Sequence, residues 1–266
     1  MTTYTITLAD DKQVTISVSE FGDGSPFLLL HGGAGPQSVS GFAQRLATDD
    51  HAHVYVPTHP GFGGTSRPDW LNSIGALAES YIALIDQLDI QNVTVIGNSI
   101  GGWIAAEMAL LDSPRISSFI LADATGINLE GQPVVDIFKI SLDDLSKLSY
   151  YKPTAFRIDP SAMTDAQKAG MAANRQTLAV YGGSMTDPTL LKRLSAVKTP
   201  TLVLWGDSDG IVTPTYGRAY AAAIPTATFQ ILPKTGHLPH LETPDQTMSA
   251  VRDFVNALKV GRPVNS

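Results

Sequence analysis

The chain has 266 residues, of which 43% are hydrophobic and 16% charged, the balance of an ordinary globular protein, and its formal net charge of -7 argues against nucleic acid or an anionic membrane as partner. It contains no cysteine, which excludes disulfides, a thiol nucleophile and thiolate metal ligands together. The opening MTTYTITLADD lacks the basic and apolar regions of a signal peptide, and no run is long enough to span a bilayer, so a cytoplasmic enzyme is the default expectation.

At the start of the chain, YTITL, a DDK turn and VTISVSEFG alternate apolar and polar residues and predict an amphipathic β-hairpin. The patterning then changes. FLLL (27–30), VYV (54–56), VTVIG (93–97), FILAD (119–123), TLVLW (201–205) and ATFQIL (227–232) are short, mostly apolar runs without alternation, which suits parallel strands covered on both faces. Between them lie helical periods: Ile74, Leu77, Tyr81, Leu84, Ile85 and Leu88, and later Met248, Val251, Phe254, Val255 and Leu258. Strand alternating with helix predicts a doubly wound α/β sheet, with ligands bound beyond the carboxyl ends of the strands. One connection, about 70 residues between FILADATG and TPTLVLW, is too long for a plain crossover. Its segments DIFKISLDDLSKLSYY, TDAQKAGMAANRQTLAVY and DPTLLKRL read as amphipathic helices. We expect a helical cap at 127–196 inserted into a core made of 1–126 and 197–266, and a tail, VGRPVNS, that frays.

The stretch GNSIGG (97–102) follows the apolar run NVTVI. A strand that reverses into a helix within two residues brings backbones together, so Gly97 and Gly101 permit the approach and Gly102 lets the next helix, WIAAEMALL, pack on the sheet. Ser99 then stands exposed at the tip, as in the G-x-S-x-G nucleophile elbow. A serine hydroxyl needs a base, and the base an orienting acid. Of the six histidines, His51, His53 and His59 flank or belong to the VYV run, His31 opens HGGAG, and His237 and His240 follow the last strand in PKTGHLPHLETP. His237 is the expected base, with His240 in a supporting or surface position. For the acid, FILAD ends in Asp123, while TLVLWGDSDGIVTP offers Asp207 and Asp209. Asp209 is displaced outward and is preferred. Asp207 is placed to brace its own turn, and Asp123 ranks third. Oxyanion donors are expected at the amides of Ile100 and Gly33, with Ala34 as the fallback. HGGAG lacks the spacings of a phosphate-binding loop.

LLLHGGAG, PTHPGFGGTSRP, VIGNSIGG, TPTLVLWGDSDGIVTP and TGHLPHLETP resemble, in order, the motifs of the α/β-hydrolase superfamily, and the resemblance covers essentially the whole chain. It implies an eight-stranded, mostly parallel sheet with a cap after strand six. It also implies Ser99 as nucleophile, Asp209 as acid, His237 as base, Gly33 and Ile100 as oxyanion hole, and no cofactor or metal. A serine at the elbow argues against the haloalkane dehalogenase and epoxide hydrolase branches, which carry aspartate there. HGGAGP, LDIQNVTVIGNSIGG and Arg175 are similar to meta-cleavage-product hydrolases, which split carbon–carbon bonds next to a ketone, but GHLPHLE stands where those usually carry GHWAQ. HPGFG departs from the commoner D-x-PGFG, with His59 in the usually acidic region.

The expected function is therefore a serine hydrolase cleaving a small carboxylic ester or related acyl compound through an acyl-enzyme on Ser99. The alternatives are a carbon–carbon bond hydrolase of meta-cleavage-product type and a small-molecule receptor that retains the machinery. Ala34, Trp103, Phe138, Tyr150, Arg175 and Leu238 are expected around the substrate, with Arg175 placed to meet a carboxylate. Tyr151, Phe156, Met171 and Tyr181 are further apolar candidates. No surface stripe identifies an interface, so a homo-oligomer is as open as a monomer.

Overall fold

The computed structural model describes residues 1–157 and 159–261. The alternating N-terminal runs form an antiparallel hairpin of β1 (Thr2–Thr7) and β2 (Gln13–Phe21). Val14, Ile16 and Val18 point into the core while Thr15 between them is exposed. Then follow β3 (Ser25–Leu30), α1 (Gln37–Asp49), β4 (Ala52–Thr58), α2 (Ile74–Gln87), β5 (Val93–Asn98), α3 (Ile100–Leu110) and β6 (Ile116–Ala122). The insert begins with a two-residue strand β7 (Gly126–Ile127) and carries α4 (Leu142–Ser149), α5 (Pro153–Phe156), α6 (Asp165–Gly182), β8 (Thr186–Asp187) and α7 (Leu190–Arg193). The chain closes with β9 (Thr201–Gly206), α8 (Pro214–Ala223), β10 (Ala227–Leu232), α9 (Pro239–Glu242) and α10 (Pro244–Lys259).

The main sheet has eight strands in the order β1-β2-β4-β3-β5-β6-β9-β10. The β1–β2 and β2–β4 ladders are antiparallel and every later ladder is parallel. The unalternating apolar runs are explained by two cores, one on each face. Along β3, Leu28 and Leu30 join one cluster with Leu77, Tyr81 and Ile104, whereas Phe27 and Leu29 join the other with Phe42, Leu46 and Phe254. Strand β9 divides in the same way, Val203 and Trp205 to the first and Leu202 and Leu204 to the second. Successive side chains point to opposite faces, so a strand covered twice needs apolar residues throughout. Among the described residues, no helix is long and apolar enough to cross a membrane.

The insert departs from expectation at one end. DIFKISLDDLSKLSYY is helical only over Leu142–Ser149. Ser141 ends the irregular part because its hydroxyl accepts the Asp144 amide at 3.1 Å, the bond that starts a helix, whereas the Asp136 carboxylate takes the Phe138 amide at 3.1 Å and makes a turn. Thr164 and Gln167 form a capping box that opens α6 where TDAQ begins. Of the tail expected to fray, residues 262–266 lie outside the described part.

Three attachments seat the insert on the strand ends. Along one face of α6, Asn174 accepts the Gly63 amide at 2.9 Å, Thr177 donates to the Gly61 carbonyl at 3.0 Å and Tyr181 donates to the Pro60 carbonyl at 2.9 Å. Arg193 makes a two-pronged bond to Glu107 of α3 at 2.7 and 2.6 Å and reaches Asp187 at 2.6 Å. Glu242 gathers the amides of Tyr151 (3.0 Å), Lys152 (2.7 Å) and Gly236 (2.7 Å), joining the insert to the loop after β10. Replacing Glu242 by alanine strands three amides, and is expected to lower the unfolding free energy by about 2–3 kcal/mol. Hydrogen exchange should then accelerate at Tyr151, Lys152 and Gly236 first, with denaturant titration giving the magnitude.

Candidate active site

At the end of β5 the chain turns into α3 through one residue. Ser99 holds φ 57° and ψ -119°, a conformation a side chain adopts only under strain. The surrounding contacts leave no alternative. A Cβ added to Gly97 would lie 2.1 Å from the Gly101 carbonyl oxygen, one on Gly101 would lie 2.3 Å from that of Leu30, and one on Gly102 would lie 2.6 Å from Ala124 Cβ. Asn98 secures the turn from behind, donating to the Ala122 carbonyl at 3.2 Å and to the His237 carbonyl at 3.0 Å. Sequence reading passed over Asn98. Its signal was a polar side chain closing an otherwise apolar run beside the serine.

The loop after β10 brings His237 back to this tip. Its Nε2 lies 2.9 Å from Ser99 Oγ and its Nδ1 2.8 Å from Asp209 Oδ2. The other oxygen of Asp209 accepts the amides of Ile211 at 2.8 Å and Val212 at 3.1 Å. An ionised carboxylate accepts only, so the imidazole proton sits on Nδ1 and Nε2 is free to accept from the hydroxyl. All three side chains are buried, Ser99 being 8% exposed. The insert braces both loops, since the Ser149 carbonyl accepts the His237 amide at 2.8 Å and the Leu148 carbonyl accepts the amide of Gly210, next to Asp209, at 2.9 Å.

The rival carboxylates occupy different positions. Asp207 turns back on its own loop, accepting the Ser208 hydroxyl at 2.7 Å and the Thr235 amide at 3.3 Å. Asp123 is fully buried, with one oxygen accepting the Gly206 amide at 2.9 Å. Asp123, Asp209 and His237 each offer an atom within 4.8 Å of the others, and a cation there would displace the Nδ1 proton already bound to Asp209. Burial, and then the charge of Asp209, push the Asp123 carboxyl well above the usual carboxylate range. Asp123 is thereby held toward its protonated form, while Asp209 accepts from three donors, the Ile211 and Val212 amides and His237 Nδ1.

Beside Ser99 lies a cavity of about 190 Å³ with largely hydrocarbon walls. Gly33, Ala34, Tyr150, Arg175 and Leu238 line it as expected, together with Phe156 and Met171. The Ile100 amide is the first of α3, which no carbonyl of that helix can reach. Trp103 does not line the cavity. It lies one turn along α3, and its indole packs on the backbone of Gly126 inside the core. Phe138 is also absent from the wall, because it lies under the Arg175 guanidinium at 5.7 Å, and that guanidinium donates to the Ile137 carbonyl. Tyr151 is 43% exposed, and Tyr181 is buried against Pro60. The walls instead include Val134, Ile137, Leu142, Leu145, Leu178 and Met185. Leu142 with Leu145, and Met171 with Leu178, share helix faces whose spacing was readable in the sequence. His240 is not at the surface; it is buried against Phe42, their ring centroids 6.4 Å apart.

Comparison with known proteins adds the lineage. A profile described as the alpha/beta hydrolase family matches residues 27–250. The 2-hydroxy-6-oxononadienedioate/2-hydroxy-6-oxononatrienedioate hydrolase of Paraburkholderia xenovorans (strain LB400) is 28% identical over 270 residues, 92% of this chain and 92% of that protein. Lipase 3 of Moraxella sp. (strain TA144) is 26% identical over 269 residues, 96% of this chain and 84% of that one. A thermophilic esterase from Thermogutta terrifontis shares the fold with a TM-score of 0.74 at 24% identity, over 96% of this chain and 98% of its own.

Two outcomes follow from the buried titratable groups. Burial, with the His237 charge second, lowers the His240 pKa to about 4, whereas an unfolded histidine titrates near 6.5. Its contribution is full above about pH 6.5, where both states are neutral, and is lost as pH falls toward about 4, because only the unfolded chain takes up the proton. Urea titrations across that window should show His240→Gln losing less stability than the parent, by up to about 1.4 kcal/mol per pH unit. At the second site, Asp123→Asn keeps an acceptor for the Gly206 amide on a neutral side chain, and should retain most of the parent's stability. Asp123→Leu strands the buried Gly206 amide and should cost about 1–3 kcal/mol by the same titration.

Proposed function

The chain belongs to the alpha/beta hydrolase family, and from that premise we propose that it is a serine hydrolase that cleaves a small carboxylic ester or related acyl compound through an acyl-enzyme on Ser99. The observation that carries this reading is the unbroken chain from Ser99 Oγ through His237 to Asp209, at 2.9 and 2.8 Å, on a serine held in a strained turn. The hydroxyl attacks the substrate carbonyl while His237 Nε2 takes its proton. Asp209 fixes the imidazole tautomer and stabilises the imidazolium without becoming protonated. Negative charge on the former carbonyl oxygen is met by the amides of Gly33 and Ile100, the second at the positive end of α3. As the tetrahedral intermediate collapses, His237 returns the proton to the departing alcohol. Water activated by the same imidazole then attacks the acyl-enzyme, and the acid leaves with Ser99 restored. The insert over 127–196 acts as a cap. Its Leu142, Leu145 and Met171 give the substrate a mainly hydrocarbon surrounding, consistent with a short apolar acyl or alcohol group.

A second reading rests on Arg175, which places a guanidinium on the cavity wall. It favours a substrate with a carboxylate, as in carbon–carbon hydrolysis beside a ketone. That guanidinium is already engaged by Ile137 and Phe138, and GHLPHLE departs from the sequence expected of such enzymes, so ester cleavage is preferred. A receptor role is disfavoured by a nucleophile, base and acid that are all in bonding contact.

A fluorophosphonate probe followed by peptide mapping is expected to label Ser99, and labelling confined to another residue would overturn the assignment. Ser99→Ala should reduce kcat on p-nitrophenyl esters by about ten-thousandfold or more. Faster turnover of a vinylogous 1,5-diketone carboxylate than of any ester in a chain-length series would establish the second reading instead.

A further inference from the structure

Two buried imidazoles lie behind the candidate oxyanion loop, and the chemistry above uses neither. His31 follows β3 and opens HGGAG, and His59 follows β4. Their rings stack with centroids 3.7 Å apart, 0% and 1% exposed. Every ring nitrogen is committed. His31 Nδ1 bonds the Gly32 carbonyl at 2.8 Å, and His31 Nε2 accepts the His59 amide at 3.1 Å. His59 Nε2 bonds the His31 carbonyl at 2.9 Å, and His59 Nδ1 meets the Tyr81 hydroxyl at 2.5 Å. A carbonyl only accepts and an amide only donates, so the partners dictate the tautomers. His31 carries its proton on Nδ1, and His59 carries its own on Nε2, which leaves Nδ1 to accept from Tyr81. Burial holds both rings neutral, depressing the basicity of His59 to about 4 and that of His31 further below its ordinary value.

These bonds hold two successive peptide planes. With no cis peptide among the described residues, each carbonyl points opposite to the amide N–H that follows it. His59 holds the carbonyl of His31, which fixes the plane leading into Gly32. His31 holds the carbonyl of Gly32, helped by the Gly35 amide at 3.1 Å, and so directs the Gly33 N–H the other way. Gly33 lines the cavity beside Ser99, and no acceptor among the described residues meets its amide. A donor for an oxyanion must be aimed before charge develops, yet a glycine pair has the least intrinsic stiffness. A side chain at either position would press on a neighbour. A Cβ on Gly32 would lie 3.3 Å from Ser99 Cβ, and one on Gly33 would lie 2.8 Å from Leu178. Stiffness supplied from outside the loop avoids both contacts.

We propose that Tyr81, His59 and His31 are positioning residues for the Gly33 amide, a chain of neutral hydrogen bonds with fixed tautomers that holds the oxyanion donor in aim. This rests on the serine hydrolase reading and gives the histidine at 59, unexplained in the sequence, a task.

The test compares His59→Leu, His59→Gln and Tyr81→Phe with the parent, using p-nitrophenyl butyrate turnover and the rate of fluorophosphonate labelling. His59→Leu should lower kcat and labelling by about tenfold to a hundredfold with KM changed less than about threefold. His59→Gln, whose amide still donates to the His31 carbonyl, should recover most of the loss, and Tyr81→Phe should fall between them. A folded His59→Leu with parental kcat, or one whose loss lies in KM, overturns the inference while leaving the hydrolase reading intact. An inert parent that the probe does not label at Ser99 sinks that reading, and this inference with it. Should the substituted proteins not fold, nitrogen NMR of the parent imidazoles at neutral pH decides. Neutral rings protonated at Nδ1 of His31 and Nε2 of His59 support the chain, and a charged ring or the opposite tautomer at either overturns it.

Discussion

Backbone pressed on backbone, where the first turn of α3 meets the end of β3, is the contact on which the site depends. Gly101 faces the carbonyls of Leu30 and His31 with no room for a methyl group, and Gly97 faces Gly101 in the same way. A helix started that close to the sheet must leave its strand through a single strained residue, and that residue is Ser99. The strain is of order 1–3 kcal/mol, small enough for the surrounding packing to over-determine. The closeness also puts the first amide of α3 and the loop after β3 within reach of one substrate oxygen. The proposed nucleophile and both proposed oxyanion donors therefore stem from one packing decision.

The charged parts are arranged around the same point with little redundancy. Asp209 stands at the centre, and its two oxygens accept from the Ile211 and Val212 amides and from His237. Burial first, and the neighbouring Asp209 second, push the carboxyl of Asp123 toward its protonated form. The base loop is tied to the elbow by Asn98 and to the insert by Ser149 and Glu242, so the imidazole is located from several directions.

How far this was legible follows from whether the signal is local. Strands β3 to β6 and β9 were readable because a doubly covered strand writes its environment into consecutive residues. The elbow was readable because three glycines record three close approaches. The preference for Asp209 over Asp207 also rested on local turn geometry, and the structure sets Asp209, and not Asp207, against the imidazole. Glu242 and the raised affinity of Asp123 for its proton were invisible, because each depends on groups brought together from distant parts of the chain. Trp103 and Phe138 were misplaced for a related reason. An aromatic side chain announces burial but not direction, and one turn of helix or one guanidinium was enough to direct each elsewhere. The segment before Ser141 looked helical by its apolar spacing, but its turn-forming aspartate and the capping serine decided otherwise.

Helix α6 rests on bare main chain. A methyl group on Gly33 would reach Leu178, and one on Gly61 would reach Thr177, so at these two points side chains of the helix meet main chain. A change of bulk at residues such as Leu142, Leu145 and Met171, on the far wall, would therefore resize the chamber without touching Ser99, His237 or Asp209.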